Sequence, residues 1–236
     1  MSAKHITSRV EFWIVLFGGL MLAFIAGYVN TLAIYLGAPP VTHLTGSISR
    51  LSADLGSTNL SDAEFIVTLV LAFMFGAMLA GTIIGVSTLK LGRRYGVAIM
   101  IESMMLGAAA MAFPHSIVAG ALLAAAAAGL QNAMAASYRS LILRTTHLTG
   151  ILTDIGFQLG RIISGRQRPS WPLLLLLSIV VAFVIGGVLG VQVGAEIGAQ
   201  GLWFPAIMLA VTSTVYMLSR RFFLSQNPTQ SRPSDE

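Results

Sequence analysis

Apolar residues gather into long stretches at about 12–36, 64–89, 96–113, 116–138, 171–195 and 200–219, separated by short polar segments. Each is near the roughly 20 residues that an α-helix needs to cross a ~30 Å hydrocarbon core, the third being the shortest. In lipid, backbone groups have no water to bond, so such stretches must close their hydrogen bonds internally as helices. The pattern predicts an all-α, polytopic membrane protein of six transmembrane helices. Residues 1–224 form one transmembrane domain, and the polar stretch 225–236, rich in Ser, Pro and Gln, forms a disordered cytoplasmic tail.

Composition agrees. The chain has 236 residues, 56% of them hydrophobic and 10% charged, too few charges to cover the surface of a soluble domain. The run from Phe12 to Leu36 is too long for a secretory signal core, and Phe24 and Ala26 make no small-x-small cleavage site; it reads as a retained first span. A net charge of +5 raises the question of nucleic acid. The basic residues are scattered over several short loops, however, so the expected partner is the lipid bilayer and not a nucleic acid. The absence of cysteine removes disulfides, thiolate metal sites and cysteine nucleophiles.

Loop charge sets the expected orientation, because Lys and Arg stay on the cytoplasmic side. Lys4 and Arg9 precede span one, Lys90, Arg93 and Arg94 follow span two, and Arg139, Arg144, Arg161, Arg166 and Arg168 follow span four. Arg220 and Arg221 follow span six. The alternate connections are neutral or acidic: Arg50 with Asp54, Asp62 and Glu64, then His115 alone, then Glu196 alone. Both termini are therefore expected in the cytoplasm of a bacterial cell, with the protein in its inner membrane.

A comparison of the chain with itself finds Thr-His-Leu-Thr-Gly at 42–46 and again at 146–150, a coincidence expected in roughly one chain in fifty of ordinary composition. Upstream, Gly27-x-x-Asn30 matches Gly129-x-x-Asn132; downstream, Leu55 and Gly56 match Leu159 and Gly160. Gly81-x-x-x-Gly85 also has a counterpart in Gly190-x-x-x-Gly194. Each half, about 12–113 and 116–220, thus reads as a span, a polar segment with a short helix, and two more spans. Three crossings is an odd number, so the halves enter from opposite sides as inverted repeats. The Gly-x-x-Asn end of span one, the two Thr-Gly segments and Gly129-Leu130-Gln131-Asn132-Ala133 resemble the YoaK-type bacterial membrane proteins, a domain of unknown function. The resemblance covers about 15–220 and implies a multi-span cytoplasmic-membrane protein without assigning an activity. The family pattern has Gly-x-x-Asp where this chain has Asn30.

Candidate site residues lie mainly in the repeated segments. Thr42, His43, Thr45 and Gly46, with Thr146, His147, Thr149 and Gly150, suit helix starts whose Thr hydroxyls cap exposed N–H groups. Two helix N-termini entering from opposite faces would attract the negative end of a small solute near the mid-plane. The bland alternative is a pair of interfacial helices, with Ile48, Leu51 and Leu55 on one face of the first and Ile151, Ile155, Leu159 and Ile162 on one face of the second. His43 and His147 could relay protons or simply bond a helix end, and their setting is a weak metal signal. Asn30, Gln131 and Asn132 could contact solute or bond between helices. Glu102, inside span three, either lines a cavity or reaches Arg93 or Arg94 at the interface. Glycines 186, 190, 194 and 198, with Ala77, Gly81 and Gly85, predict close packing of span two on span five, or else a seam between two copies in a homo-oligomer.

The leading functional expectation is a small secondary transporter or channel for a small polar or anionic solute, needing no cofactor. An accessory or structural membrane protein is the second, and a membrane-embedded enzyme the third. There is no His-Glu-x-x-His, Gly-x-Ser-x-Gly or nucleotide-binding loop to support catalysis or ATP-driven transport. The loop charges generate a direct test of orientation. A reporter fused after Arg221 is expected to be active only in the cytoplasm, and Ser57→Cys, in this cysteine-free chain, to react with an impermeant reagent from outside. Labelling at that position only after permeabilisation would reverse the topology.

Overall fold

The computed structural model describes residues 9–57, 60–85, 93–137, 147–168 and 171–226, with side chains between 16 and 219. Eight α-helices and one 3₁₀ turn make up the described chain: α1 (Arg9–Tyr35), α2 (Thr45–Gly56), α3 (Leu60–Ile84), α4 (Arg93–Ala112), α5 (Ile117–Ser137), α6 (Leu148–Ile163), α7 (Trp171–Ile197), the 3₁₀ turn Gly198–Leu202, and α8 (Trp203–Gln226). No strand occurs among the described residues. Five segments are long and apolar enough to cross a membrane. The fifth, Trp171–Ser219, runs to 49 residues because the turn joining α7 to α8 is itself apolar. The expected sixth stretch is therefore not set off by a polar loop; Gly198, at φ +60°, and the buried Ala199 and Leu202 make the break instead. Only glycine adopts that backbone readily.

The bundle is assembled from glycine crossings. A Cβ at Gly27 of α1 would overlap the Phe183 carbonyl of α7, and a Cβ at Gly186 of α7 would overlap the Phe24 carbonyl of α1. The same arrangement joins α5 to α3, where Gly129 sits on the Phe73 carbonyl and Gly76 on the Ala126 carbonyl. Helix-interior glycine costs about 1 kcal/mol relative to alanine, which here is offset by backbone-to-backbone contact that any side chain would prevent. Further along, Gly190 meets the Tyr28 carbonyl, and Gly194 meets Leu32 and Tyr35, so α1 and α7 run parallel. Thr31 locks this pair by donating from Oγ1 to the Gly187 carbonyl at 2.7 Å.

The α4–α8 pair is antiparallel and equally reciprocal. Ser103 Oγ on α4 donates to the Ala206 carbonyl on α8 at 2.7 Å. Ser213 Oγ on α8 donates to the Gly96 carbonyl on α4, also at 2.7 Å. One spacing along the chain relates Phe24 to Ala126 and Gly27 to Gly129. Another relates Phe73 to Phe183, Gly76 to Gly186, Gly96 to Ala206 and Ser103 to Ser213. α1 thus meets α7 through Gly27 and Gly186, α5 meets α3 through Gly129 and Gly76, and α4 meets α8 through two serine bonds.

Two expectations about the glycines are corrected here. Spans two and five, now α3 and α7, do not touch among the described residues: α7 lies on α1, and α3 on α5. The pairing of Gly81 with Gly190 is also one residue out of register, for the equivalent of Gly190 is the buried Ala80, whereas Gly81 is exposed with open space beside it. A Gly-x-x-x-Gly spacing marks a face but cannot say whether that face meets protein or lipid.

Because α1 and α7 are parallel, α2, which follows α1, and α6, which precedes α7, lie at opposite ends of the bundle. Each packs on the next long helix, α2 on α3 and α6 on α7. Ile151 and Ile155 of α6 are buried with Leu173, Leu176 and Ile179. The apolar residues Ile48 and Leu55 of α2 remain about half exposed, and its buried residue is Ser47.

Adding a single methyl group at a crossing tests this packing. Gly186→Ala or Gly129→Ala forces two backbones apart and is expected to cost about 1–3 kcal/mol, seen as loss of thermal stability in detergent. Gly81→Ala meets nothing and should stabilise by up to ~1 kcal/mol through helix propensity. Equal behaviour of the three variants would contradict the crossings.

Candidate functional site

The first repeated segment turns back into the bundle. After α1, the chain reverses at Gly37, whose φ of +89° lies in the left-handed region, and the amide of Ala38 donates to the Ala33 carbonyl at 3.0 Å. Pro39 and Pro40 follow, and because neither carries an N–H, a buried extended chain here leaves fewer donors to satisfy. The next two amides are both taken by one side chain: Asn30 Oδ1 accepts from Val41 N at 3.1 Å and from Thr42 N at 3.2 Å. Ala38, Val41 and Thr42 are buried as a result, Val41 and Thr42 to 0% and 2% exposure.

From the opposite half, Asn132 Nδ2 on α5 reaches the Thr42 carbonyl at 3.4 Å. The Thr42 backbone is thus held between two asparagines that occupy equivalent places in α1 and α5. Gln131, next to Asn132, donates from Nε2 to the Leu22 carbonyl of α1 at 2.7 Å and ties the two helices together. Leu22, inside α1, has no chain end nearby, so this is a bond between helices. All three amides, Asn30, Gln131 and Asn132, are engaged with backbone. The Thr42 hydroxyl, in contrast, is buried with no hydrogen-bond partner among the described residues. A buried hydroxyl left without a partner costs about 1–3 kcal/mol. Such a group in a polar centre is the feature to explain.

Other expected site residues lie apart from this centre. His43, Thr45 and Gly46 are exposed, as are His147 and Thr149, and Gly150 is half-buried. Thr146 lies outside the described residues. The two repeated segments therefore do not meet in one site: α2 and α6 begin at opposite ends of the bundle and make no contact among the described residues. Capping by Thr45 and Thr149 is also corrected. The N-cap of α2 is Leu44 and that of α6 is His147, and neither makes a side-chain cap bond. Thr45 is already inside α2, because Ile48 N donates to the Leu44 carbonyl at 2.8 Å; in α6, Ile151 N donates to the His147 carbonyl at 3.1 Å. The His147 ring folds over Gly150, filling the space that a Cβ there would need. In each helix the cap position thus falls before the threonine that sequence reasoning placed there.

Glu102 is the remaining expectation. It is buried at 1% exposure, and its Oε2 has no hydrogen-bond partner among the described residues. Interfacial pairing with Arg93 or Arg94 does not occur. Glu102 sits roughly 14 Å along α4 from Arg93 at 1.5 Å per residue, and Arg94 Nη1 is turned to the Ile84 carbonyl at 3.4 Å. The ion pairs among the described residues are those of Arg50, with Asp54 at 3.7 Å and Asp62 at 3.1 Å, where α2 meets α3. No three His, Cys, Asp or Glu side chains converge as metal ligands among the described residues.

A polar centre within a bundle of long apolar helices defines a multi-pass helical membrane protein. Residues 18–215 match the DUF1275 family, described as proteins of unknown function, and the chain belongs to that family, with which its YoaK-type resemblance is consistent. No curated protein and no solved structure matches the chain.

The Asn30 geometry yields a prediction about stability. Asn30→Leu strands two buried amides and is expected to lower stability by about 2–4 kcal/mol. Asn30→Asp keeps an oxygen acceptor for both and should be the milder change in a thermal melt of the purified protein. If Asn30→Leu were as stable as the wild type, the turn at Gly37–Thr42 would not depend on Asn30.

Proposed function

We propose that this protein is a small secondary transporter or channel for a small polar solute, seated in the bacterial inner membrane with both termini cytoplasmic. In this reading the chain crosses the bilayer six times, as α1, α3, α4, α5, α7 and α8, and its halves are inverted repeats. The support is the reciprocity of the crossings: Gly27 with Phe183 against Gly129 with Phe73, and Ser103 with Ala206 against Ser213 with Gly96. Parallel packing of α1 on α7 also fits six crossings, since four alternations separate them. Transporters of this architecture place discontinuous segments at the repeat interface, where irregular backbone is tolerated because it lines a solute path.

The observation that carries the reading is the Gly37–Thr42 segment, drawn into the bundle and held by Asn30 and Asn132, with the Thr42 hydroxyl buried and without a hydrogen-bond partner among the described residues. Hydroxyl and amide groups suit an uncharged polar solute. An anion is less well served, because no Lys or Arg side chain is among the groups that hold this segment. An enzyme would need a general base to activate the Thr42 hydroxyl, and the side chains that hold Thr42 are the amides of Asn30 and Asn132.

A flux or counterflow screen in proteoliposomes with small polar solutes tests the proposal. Once a solute is found, Thr42→Val, which removes the hydroxyl but keeps the shape, should weaken its binding about five-fold, equivalent to ~1 kcal/mol. Thr45→Ala and Thr149→Ala should leave binding unchanged. Loss of binding in Thr45→Ala with none in Thr42→Val would place the site at the α2 terminus and contradict this reading.

A further inference from the structure

Glu102 lies on the stripe of α4 that also carries Ala98, Leu106 and Ala109, each no more than 1% exposed. That stripe follows the antiparallel α4–α5 seam, which is marked at one end by Tyr95 and Ser137, whose hydroxyl oxygens are 2.9 Å apart. At the other end Phe113 lies over Gly120. Glu102 falls between these points, far from either end of α4.

The elements packed on α4 bring no countercharge to this level. α5 contains no ionisable residue over Ile117–Ser137, and the Gly198–Leu202 turn contains none. The acidic residues of α3, Asp62 and Glu64, are in its first turns. On α8 the ionisable side chain within the described part is Tyr216, which lies against Gly96 nearer the start of α4. Arg220 and Arg221 come later still in the sequence. Within α4 itself, Arg93, Arg94 and Tyr95 stand in the first turn. An ionised carboxylate at such depth costs at least ~2.5 kcal/mol on insertion scales, and more in a dry interior. Among the described residues no cation stands at this level to offset that cost, so the neutral acid is the cheaper form of a carboxyl here. If packing were the only requirement, glutamine would have the same shape without the liability of a charge. What a carboxyl adds is the capacity to lose a proton when water reaches it.

We propose that Glu102 is a proton-binding site of this protein, loaded while the α4–α5 seam is closed and exchanging its proton with water when the seam opens. The bond made and broken is the carboxyl O–H, and the acceptor is water. Nothing in this depends on the solute centre: a proton site at Glu102 could stand if no solute were ever found. Should the transporter reading hold, the same site would let a proton gradient drive solute movement.

Infrared spectroscopy of the full-length protein in lipid bilayers at neutral pH tests it without any solute. The wild type is expected to show a free-acid carbonyl stretch that disappears in Glu102→Gln, and that shifts down when the sample is transferred to deuterated water. If Glu102→Gln does not fold, selective ¹³C-labelling of glutamate in a variant with Glu11, Glu64, Glu196 and Glu236 all changed to Gln assigns the band to Glu102 by its isotope shift instead. Absence of a free-acid band, or its survival in Glu102→Gln, means that Glu102 is ionised and overturns the proposal. A band that never shifts in deuterated water also overturns it, because the proton would then be permanent.

Discussion

Backbone-to-backbone contact between helices of opposite halves is the constraint on which the rest of the structure depends. Lipid tails are as apolar as leucine side chains, so helices in a bilayer gain little from hiding apolar surface against one another. Close approach is what remains, and Gly27, Gly76, Gly129 and Gly186 permit it at two crossings. Neither half supplies both helices of either crossing: α1 needs α7, and α3 needs α5. Each half therefore completes its packing only with the other, and the reciprocal serine bonds between α4 and α8 close the same assembly from its far side.

The crossings also explain how a bent, partly extended segment can be buried. Asn30 follows Gly27 by less than one turn of α1, and Asn132 stands in the same relation to Gly129. Once the glycines fix the two helices, the asparagines are fixed too, and Thr42 is bound on both its backbone N–H and its carbonyl. Two prolines that bring no N–H, and one amide oxygen that accepts two, leave the turn from Gly37 to Thr42 with little unpaired backbone. Among the buried side-chain atoms without a hydrogen-bond partner in the described residues are the Thr42 hydroxyl and Oε2 of Glu102, beside Ser47 Oγ and Asp54 Oδ2 of α2, and the first two are where bound solute and bound proton are proposed.

Much of this architecture was legible in the residues. Apolar length gave the long helices, because hydrocarbon thickness imposes a fixed requirement, and the two Gly-x-x-Asn stretches singled out Asn30 and Asn132, both of which bond the Thr42 backbone. What sequence could not supply was direction. Gly81 and Gly190 have similar surroundings in the chain, yet one is exposed and the other meets a backbone carbonyl. Likewise Thr45 and Thr149 have the composition of helix caps, but both lie inside their helices and the cap positions fall to Leu44 and His147. Within the repeated pentapeptide the conspicuous histidine points outward, and the buried polar centre is made by Thr42. Glu102 was visible as a misfit in an apolar run, whereas its lack of a partner depends on the packing of α5 and α8.

The central claim is that α1 of the first half lies directly on α7 of the second, and covalent capture measures it most directly. A Cβ at Gly187 would lie 3.1 Å from Cγ2 of Thr31, so a sulfur at position 31 falls within disulfide reach of a cysteine at 187. In this chain, which has no cysteine of its own, Thr31→Cys with Gly187→Cys is expected to form the 31–187 disulfide on mild oxidation in membranes. Mass spectrometry of the non-reduced digest would detect it. Quantitative recovery of free thiols at both positions, in protein that is folded and membrane-inserted, would contradict the crossing and the account built on it.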